Sequence, residues 1–534
     1  MPKRLLLKEL SRYNIGTFAD IIYRNSLLYP DQEAFIYEGK RVTFSQFNGR
    51  INKLIYALKK KKVKKGTTLG ILSWNCLQFA EVYGATMKGG FIASPFNPRL
   101  TAVELDYVIN YSETDTLFLG PELLETVSSL KPRLPKVKNY VLLEGTSPNM
   151  ITYDELIATC PDTEPDIQIK EDDLICIVYT SGTTGVPRGA LYTQRCFMND
   201  ARTLAIDIGV QPGDKHLQVT PQFHIAGNTW LRTFLLVGAC TVIQKFFDPI
   251  DTLRLIQNEK ITHMSYVPTQ MVAILNIPDL DKYDLSSMKL LWYGASPMPL
   301  EVLKRGMKAF GRPIFGEGYG QSESGPAISH MSPQDYNVLD KPEEEQQHLM
   351  SAGRPDIGVH VRIVDDNNDD VGPEEIGEII VKSKHMMVEY WHKPQDTKET
   401  IINGWLHTGD MGYYDENGFI YIADRKKDMI ITGGENVFPR EVEEVLYRHS
   451  SILEAAVIGI PDPYWIEKVH AVVVLKEGST ATTEEIIAFC KKQIAGYKTP
   501  KSVEFVNSLP KNSAGKIMKR ELRNKYWKSH KRKI

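Results

Sequence analysis

Leu174-Ile175-Cys176-Ile177-Val178-Tyr179-Thr180-Ser181-Gly182-Thr183-Thr184-Gly185-Val186-Pro187-Arg188-Gly189 runs from an apolar stretch straight into a loop of glycines and hydroxyls. Leu174 to Val178 has the length and composition of a buried strand. In the loop, three glycines let the backbone turn tightly and bring N–H groups close to a ligand. Thr180, Ser181, Thr183 and Thr184 add hydroxyl donors, and Arg188 adds a fixed positive charge. Such a set suits a polyphosphate; on composition alone it also describes a hydroxyl-rich hairpin. The spacing is not that of the GxxxxGK[ST] phosphate loop, so that motif does not apply.

Upstream of this loop, strand and helix patterns alternate. Ile51, Leu54, Ile55 and Leu58 recur at helical spacing, Thr68 to Leu72 reads as a short buried strand, Leu77 to Met87 as a helix and Phe91 to Ser94 as a strand. That alternation predicts βαβ units and mainly parallel sheets. The run from Lys59 to Lys65 before Gly66 reads as a solvated helix end, where cations meet the negative end of the dipole. Composition shifts after Asp424, leaving a segment of about a hundred residues, the size of a small domain. In it Pro439 suits a first helical turn, Ala471 to Leu475 is β-rich, and Thr482 with Glu485 forms a capping box before a helix over Glu484 to Ile494. The basic tail from Lys516 to Lys533 reads as a solvated helix and terminus.

The chain has 534 residues, 42% hydrophobic and 24% charged, with a net charge of −2. This balance gives no global pull towards nucleic acid or an anionic membrane. Cys76, Cys160, Cys176, Cys196, Cys240 and Cys490 are scattered, which predicts reduced, buried thiols and fits a cytoplasmic enzyme. The apolar stretch from Trp230 to Ile243 carries Arg232 and is too short to span a bilayer, so it is expected in the core, with no transmembrane segment.

The Tyr179–Gly189 stretch resembles the signature loop of the adenylate-forming (ANL) superfamily, which includes acyl-CoA synthetases, luciferases and nonribosomal-peptide adenylation domains. Other stretches match in the same order. Trp292-Tyr293-Gly294-Ala295-Ser296-Pro297 resembles the adenine-pocket strand and turn, and Gly318-Tyr319-Gly320-Gln321-Ser322-Glu323 the YGxTE motif. Trp405-Leu406-His407-Thr408-Gly409-Asp410 resembles the TGD segment, Asp424-Arg425-Lys426-Lys427-Asp428 the interdomain linker, and Pro510-Lys511-Asn512-Ser513-Ala514-Gly515-Lys516 the PxxxxGK motif. The resemblance runs from about Thr17 to Leu522. The family carries lysine at Arg188, and after Pro461-Asp462 it often has Gly-Glu where this chain reads Trp465-Ile466-Glu467.

The resemblance implies an α/β fold: a large N-terminal domain of βαβ-rich sheets flanked by helices (1–425), a hinge at 426–428 centred on Lys427, and a small mobile α+β domain (429–534). It implies nucleotide contacts from Thr180, Ser181, Gly182, Thr183, Thr184, Gly294, Ala295, Ser296, Gly320 and Gln321. Tyr319 would stack on adenine, Ser322 would contact phosphate, and Asp410 and Arg425 would hold the ribose. Glu323 and Thr184 would bind Mg2+, a hard ion suited to carboxylate and phosphate oxygens. Lys516, Arg188 and His224 would be the catalytic groups, and Gly433 and Gly434 would border a thiol tunnel.

Phe223, His224, Asn228, Gly318 and Gly325 would line the acyl pocket, the two glycines leaving space in it. Asn228 stands where some long-chain synthetases have a gating tryptophan, and no aspartate is offered for a substrate ammonium. A medium-size uncharged acid is therefore favoured. The implied reaction joins a carboxylic acid to coenzyme A with ATP. A carrier-protein thiol as acceptor in trans, the reverse direction that makes ATP from acyl-CoA, AMP and pyrophosphate, and a homodimeric assembly stay open.

Overall fold

The computed structural model describes residues 7–148, 150–180, 187–294, 298, 300–311, 313–338, 341–425, 428–432, 435–511 and 517–527. Among these residues the strands form four sheets. The largest runs, in spatial order, through Arg354–Pro355, Gly325–Met331, Phe315–Gln321, Leu290–Gly294, His263–Tyr266, Lys215–Gln218, Cys240–Ile243, Glu33–Tyr37 and Lys40–Thr43. Its middle is parallel and its edges are antiparallel. The second runs through Glu389–Tyr390, Arg188–Thr193, Leu174–Thr180, Ile92–Phe96, Thr68–Leu72, Thr116–Leu119, Asn139–Leu142 and Ile151–Thr152. Beyond Leu174–Thr180 it too is parallel.

The parallel strands are separated by helices, as the alternating pattern predicts. Phe44–Lys60 starts on a Thr43/Gln46 capping box and ends on Lys59 and Lys60, which makes the lysine run a helix terminus. Its buried stripe of Phe47, Ile51, Leu54, Ile55 and Leu58 joins Tyr83 and Phe79 of Leu77–Gly89 in one core cluster. That cluster also takes Phe35 and Ile243 from the first sheet and Leu69, Ile71, Ala93 and Val178 from the second, so these helices lie between the sheets. Trp230 to Ile243 is core: the end of a helix, Ile225–Val237, and the strand Cys240–Ile243. All six cysteines are free and buried. Among the described residues no helix is long and apolar enough to cross a membrane.

A smaller antiparallel sheet, Val359–Val364, Gly377–Ser383, Trp405–Tyr414 and Ile401–Ile402, with Ile420–Arg425 paired on Trp405–Tyr414, follows the two large ones. The last sheet is C-terminal: Glu435–Val437, Ile430–Thr432, Ile466–Leu475 and Ile452–Asp462, with Ser502–Phe505 parallel to Ile466–Leu475. Alternation along its strands sends Val457, Val469, Ala471 and Val473 to one face against Val442, Leu446 and Cys490. Ile458, Val472 and Val474 go to the other face against Leu509 and Leu522. The helix predicted from the Thr482/Glu485 box spans Thr483–Lys491. Arg440, in the helix Pro439–Tyr447, donates to the carbonyls of Ile422 (3.0 Å) and Met350 (3.3 Å), linking this C-terminal part to the sheets before it.

The turn between the two long C-terminal strands departs from the family pattern at a strained position. Ile466 has φ 70°, a left-handed conformation that a β-branched side chain adopts at a cost of about 1–2 kcal/mol. Tyr464 and Trp465 beside it are exposed, so nothing in the packing requires isoleucine here. Ile466→Gly is expected to stabilise the C-terminal part by up to about 1 kcal/mol, read as a higher melting temperature of that part.

Candidate active site

Leu174–Thr180 and Arg188–Thr193 are antiparallel neighbours with Thr180 directly opposite Arg188, so they deliver both ends of the 181–186 segment to one place. Ser181, Gly182, Thr183 and Thr184 lie outside the described residues, as do Ala295 and Ser296. At the mouth of that segment, Thr180 Oγ1 and Arg188 Nε are buried without a hydrogen-bond partner. Such orphaned donors carry a desolvation cost that a ligand oxygen could relieve. The Arg188 guanidinium sits 4.4 Å from the ring centroid of Tyr390, and its Nη1 is 3.6 Å from Asp396 Oδ2. A cation held over an aromatic face is attracted by the ring, and arginine, with its broad guanidinium, makes such contacts more often than the family's usual lysine.

Tyr390 links Arg188 to the expected metal ligand. It is held by pairing across from Ala190, and its hydroxyl donates to Glu323 Oε1 at 2.7 Å. Burial and the Glu323 charge push the Tyr390 phenol well above its ordinary pKa, so it stays a donor. The Glu323 carbonyl accepts from Met387 N at 2.8 Å, and Tyr192 donates to the carbonyl of Ser322. Glu323 is thus fixed at both main chain and side chain.

The second cluster forms on Phe315–Gln321 and Trp405–Tyr414. Asp410 is buried; its Oδ2 accepts from Tyr319 Oη (2.8 Å) and from Gln321 Nε2 (2.5 Å). Gln321 also donates to the Thr408 carbonyl at 3.0 Å. Arg425 stands directly across the strand pair from Asp410. Gly294 pairs with Gly318, which sets the strand expected at the adenine pocket beside the Tyr319 strand. A Cβ at Gly320 would lie 2.5 Å from the Pro326 carbonyl carbon, so only glycine fits under the turn that follows Glu323.

At the expected acyl pocket, His224 caps the helix Ile225–Val237, its Nδ1 accepting from Ala226 N at 3.3 Å. In the neutral ring the proton is then on Nε2. A Cβ at Gly227 would lie 2.1 Å from the Pro221 carbonyl oxygen, so this glycine lets the chain fold back and set Phe223 and His224. Asn228 is buried, its Oδ1 accepting from Arg232 and its Nδ2 unpartnered. The fully buried Arg232 pairs with Asp200, donates to Thr229 Oγ1 at 2.7 Å and lies 3.6 Å from the Phe197 ring centroid.

The space at the two pocket glycines is not simply open. A Cβ on Gly318 would lie 2.6 Å from Trp292 Nε1, and one on Gly325 3.1 Å from His385 Cδ2. Close packing recruits a neighbour into the volume a missing side chain leaves. Trp292 meets Trp230 edge-to-face at 6.2 Å, so a second indole backs the one beside Gly318.

Lys516, Lys427, Gly433 and Gly434 lie outside the described residues. Their flanks are described: Lys511 bridges Ile517, Arg523 pairs with Asp428, and Thr432 is the cross-strand partner of Glu435. Tyr390 and Tyr192 were missed by sequence reasoning. Tyr390 lies 67 residues from Glu323 and carries no local signal beyond being an aromatic residue near the helix at Pro394.

The family model described as "AMP-binding enzyme" matches residues 23–391, and the model "AMP-binding enzyme C-terminal domain" matches residues 441–516. The chain belongs to the AMP-binding enzyme family. Its relatives include the long-chain-fatty-acid–CoA ligase of Bacillus subtilis (strain 168), 36% identical over 96% of this chain and 95% of that protein. The feruloyl-CoA synthase of an Amycolatopsis species is 34% identical over 94% of this chain and 98% of its own. Among solved structures, the anthranilate CoA ligase AuaEII in complex with anthranoyl-AMP superposes with a TM-score of 0.89 at 27% identity, covering 98% of this chain and 99% of that one. These matches make the AMP-binding enzyme an AMP-forming acid–thiol ligase by family.

In this AMP-binding enzyme the donor chemistry at Glu323 fits a hard divalent ion: a buried carboxylate oriented by the Tyr390 hydroxyl. A second carboxylate behaves differently. Glu317, on the Tyr319 strand, is buried and accepts from Tyr293 Oη at 2.8 Å. Burial pushes its carboxyl up to about 7, opposed by the Arg440 charge. A raised folded-state pKa means the stabilising protonated form is fully present below about 4.5 and lost as pH rises through about 7. Glu317→Gln is expected to melt above the parent chain near pH 8 and level with it near pH 5, as followed by thermal unfolding.

Proposed function

We propose that the chain is an AMP-forming acyl-CoA synthetase that converts ATP and a medium-size uncharged carboxylic acid to acyl-AMP and pyrophosphate, then transfers the acyl group to coenzyme A. The observation that carries this reading is Asp410, buried and pinned by Tyr319 and Gln321 opposite Arg425. An ionised carboxylate held this way presents acceptors for a ribose diol. Relatives named for acyl-CoA ligation support the acceptor. The Trp292 indole beside Gly318, backed by Trp230, supports an acid shorter than a long open tunnel would take.

A carboxylate is a poor electrophile because its leaving group would be oxide. Attack on the α-phosphate of ATP replaces oxide with AMP. Two anions meet in this step, so cations decide its rate. Lys516 sits between carboxylate and α-phosphate, and Arg188 swings from the face of Tyr390 to the departing pyrophosphate. One unit-charge pair about 4 Å apart contributes on the order of 4 kcal/mol at an effective dielectric near 20. Glu323 and Thr184 would hold Mg2+, which would supply further neutralisation of phosphate charge. His224 Nε2–H donates to the acid's oxygen, and Phe223, Asn228, Gly318 and Gly325 border the acyl group.

The adenine lies between Tyr319 and the Gly294–Ser296 turn, with Ser322 on phosphate. For thioester formation, the small domain (429–534) rotates about Lys427, Lys516 withdraws, and Gly433 and Gly434 come to border the thiol. Few residues need to absorb such a hinge motion. The buried, unpaired cysteines support a reducing, cytoplasmic setting.

A panel of aliphatic, alicyclic and aromatic acids, scored for pyrophosphate release and for CoA-dependent AMP release, tests the reading. Pyrophosphate release with AMP appearing only on CoA addition is the expected result. No pyrophosphate from any acid, or AMP release indifferent to CoA, would overturn it.

A further inference from the structure

Three side chains that ligation does not use converge beside Trp292. Asp207 ends the helix Gln194–Asp207, His330 lies on the strand Gly325–Met331, and Asp356 follows Arg354–Pro355. His330 Nδ1 is 2.5 Å from Asp356 Oδ1 and 3.9 Å from Asp207 Oδ2. One ligand atom from each residue lies within 4.8 Å of the other two. The carboxylate side chains of Asp207 and Asp356 are 3% and 2% exposed, and Asp207 Oδ2 is buried with no hydrogen-bond partner.

Electrostatics makes this arrangement costly as it stands. Two buried carboxylates share one imidazole, which brings at most one positive charge. Among the described residues, His330 is the only ion-pair partner of either acid. Burying both acids beside one imidazole penalises their charged forms, and a divalent cation would hold both ionised.

We propose that Asp207, His330 and Asp356 form a binding site for a divalent transition-metal ion of the zinc class. An imidazole nitrogen with two carboxylate oxygens is a borderline donor set, which suits Zn2+ better than Mg2+ or Ca2+, whose sites are built from oxygen. Zinc ligands stand about 2.0–2.2 Å from the metal. Donors spaced between 2.5 and 4.8 Å need only small rotations to reach it. The ring of His330 is braced against Trp292 at 5.8 Å between centroids. Its side chain is 21% exposed, which leaves a way in for the ion and room for a water as fourth ligand. The ion ties the end of the helix that carries Asp200 to the outer strands of the largest sheet.

The test uses the full chain, stripped with chelator, free of nucleotide and titrated with zinc chloride alone by calorimetry and thermal unfolding. One zinc per chain at this site and a melting temperature that climbs with zinc are expected. Asp207→Asn, nearly isosteric, and His330→Ala should each weaken binding by more than about 100-fold. Glu323→Gln, in the proposed nucleotide site, should leave it unchanged. If His330→Ala fails to fold, Asp207→Asn alone decides. No zinc-dependent rise in the parent chain, unaltered binding in Asp207→Asn, or loss of binding in Glu323→Gln would each overturn the proposal. Magnesium binding as tightly as zinc would overturn the metal class.

Discussion

Lys516→Ala lowers the rate of adenylate formation by about 10²–10³, while a supplied acyl-adenylate is still converted to thioester. The asymmetry follows from where charge builds up. In the first half-reaction an anionic acid approaches an anionic phosphate, and a lysine between them lowers the barrier without having to reorganise. In the second, a thiol attacks the uncharged carbonyl carbon of the mixed anhydride, whose single negative charge lies on the phosphate, and AMP departs, so an anionic acid no longer has to approach an anionic phosphate. The lysine belongs to a Pro-x4-Gly-Lys frame, and Lys511, within it, bridges Ile517 just beyond it. Single-turnover assays of each half-reaction, from acid plus ATP and from purified adenylate plus CoA, separate the two. An equal loss in both halves would mean that one fixed arrangement serves both, and the rotation about Lys427 would have to be abandoned.

Asp200→Ala should destabilise the chain by about 3–5 kcal/mol, the largest stability effect expected here. Arg232 is fully buried, and a guanidinium cannot shed its proton to escape the cost. Without Asp200 it keeps Asn228 Oδ1, Thr229 Oγ1 and the face of Phe197, all neutral. Replacing both members, as in Asp200→Leu with Arg232→Met, should cost much less, because no charge is then left stranded. Urea unfolding of the single and double variants tests this; a single-variant loss under about 1 kcal/mol would show that the pair is solvated in practice. The helix that carries Arg232 begins at His224, so the single variant should also raise KM for the acid.

Local pattern made much of this fold readable. Thr68–Leu72 and the capping box at Thr482 follow from a few adjacent residues, and the helix over Phe44–Lys60 from its apolar stripe. The nucleotide motifs are likewise contiguous. What stayed hidden depends on distant partners. Arg232 reads as an interruption in an apolar run, until Asp200, 32 residues away, is seen to answer it. Gln321 finds Asp410 across 89 residues, and a glycine such as Gly318 says that space exists but not that an indole will take it. The Asp207, His330 and Asp356 group joins a helix end to two strands, and no spacing in the chain foretells it.

The two bonds from Arg440 to the carbonyls of Met350 and Ile422 have an evolutionary consequence. Main-chain oxygens are common to every amino acid, so replacing residue 350 or 422 leaves that clasp intact. Over generations, the side chains at 350 and 422 can drift while a single codon at position 440 keeps those two bonds or loses them.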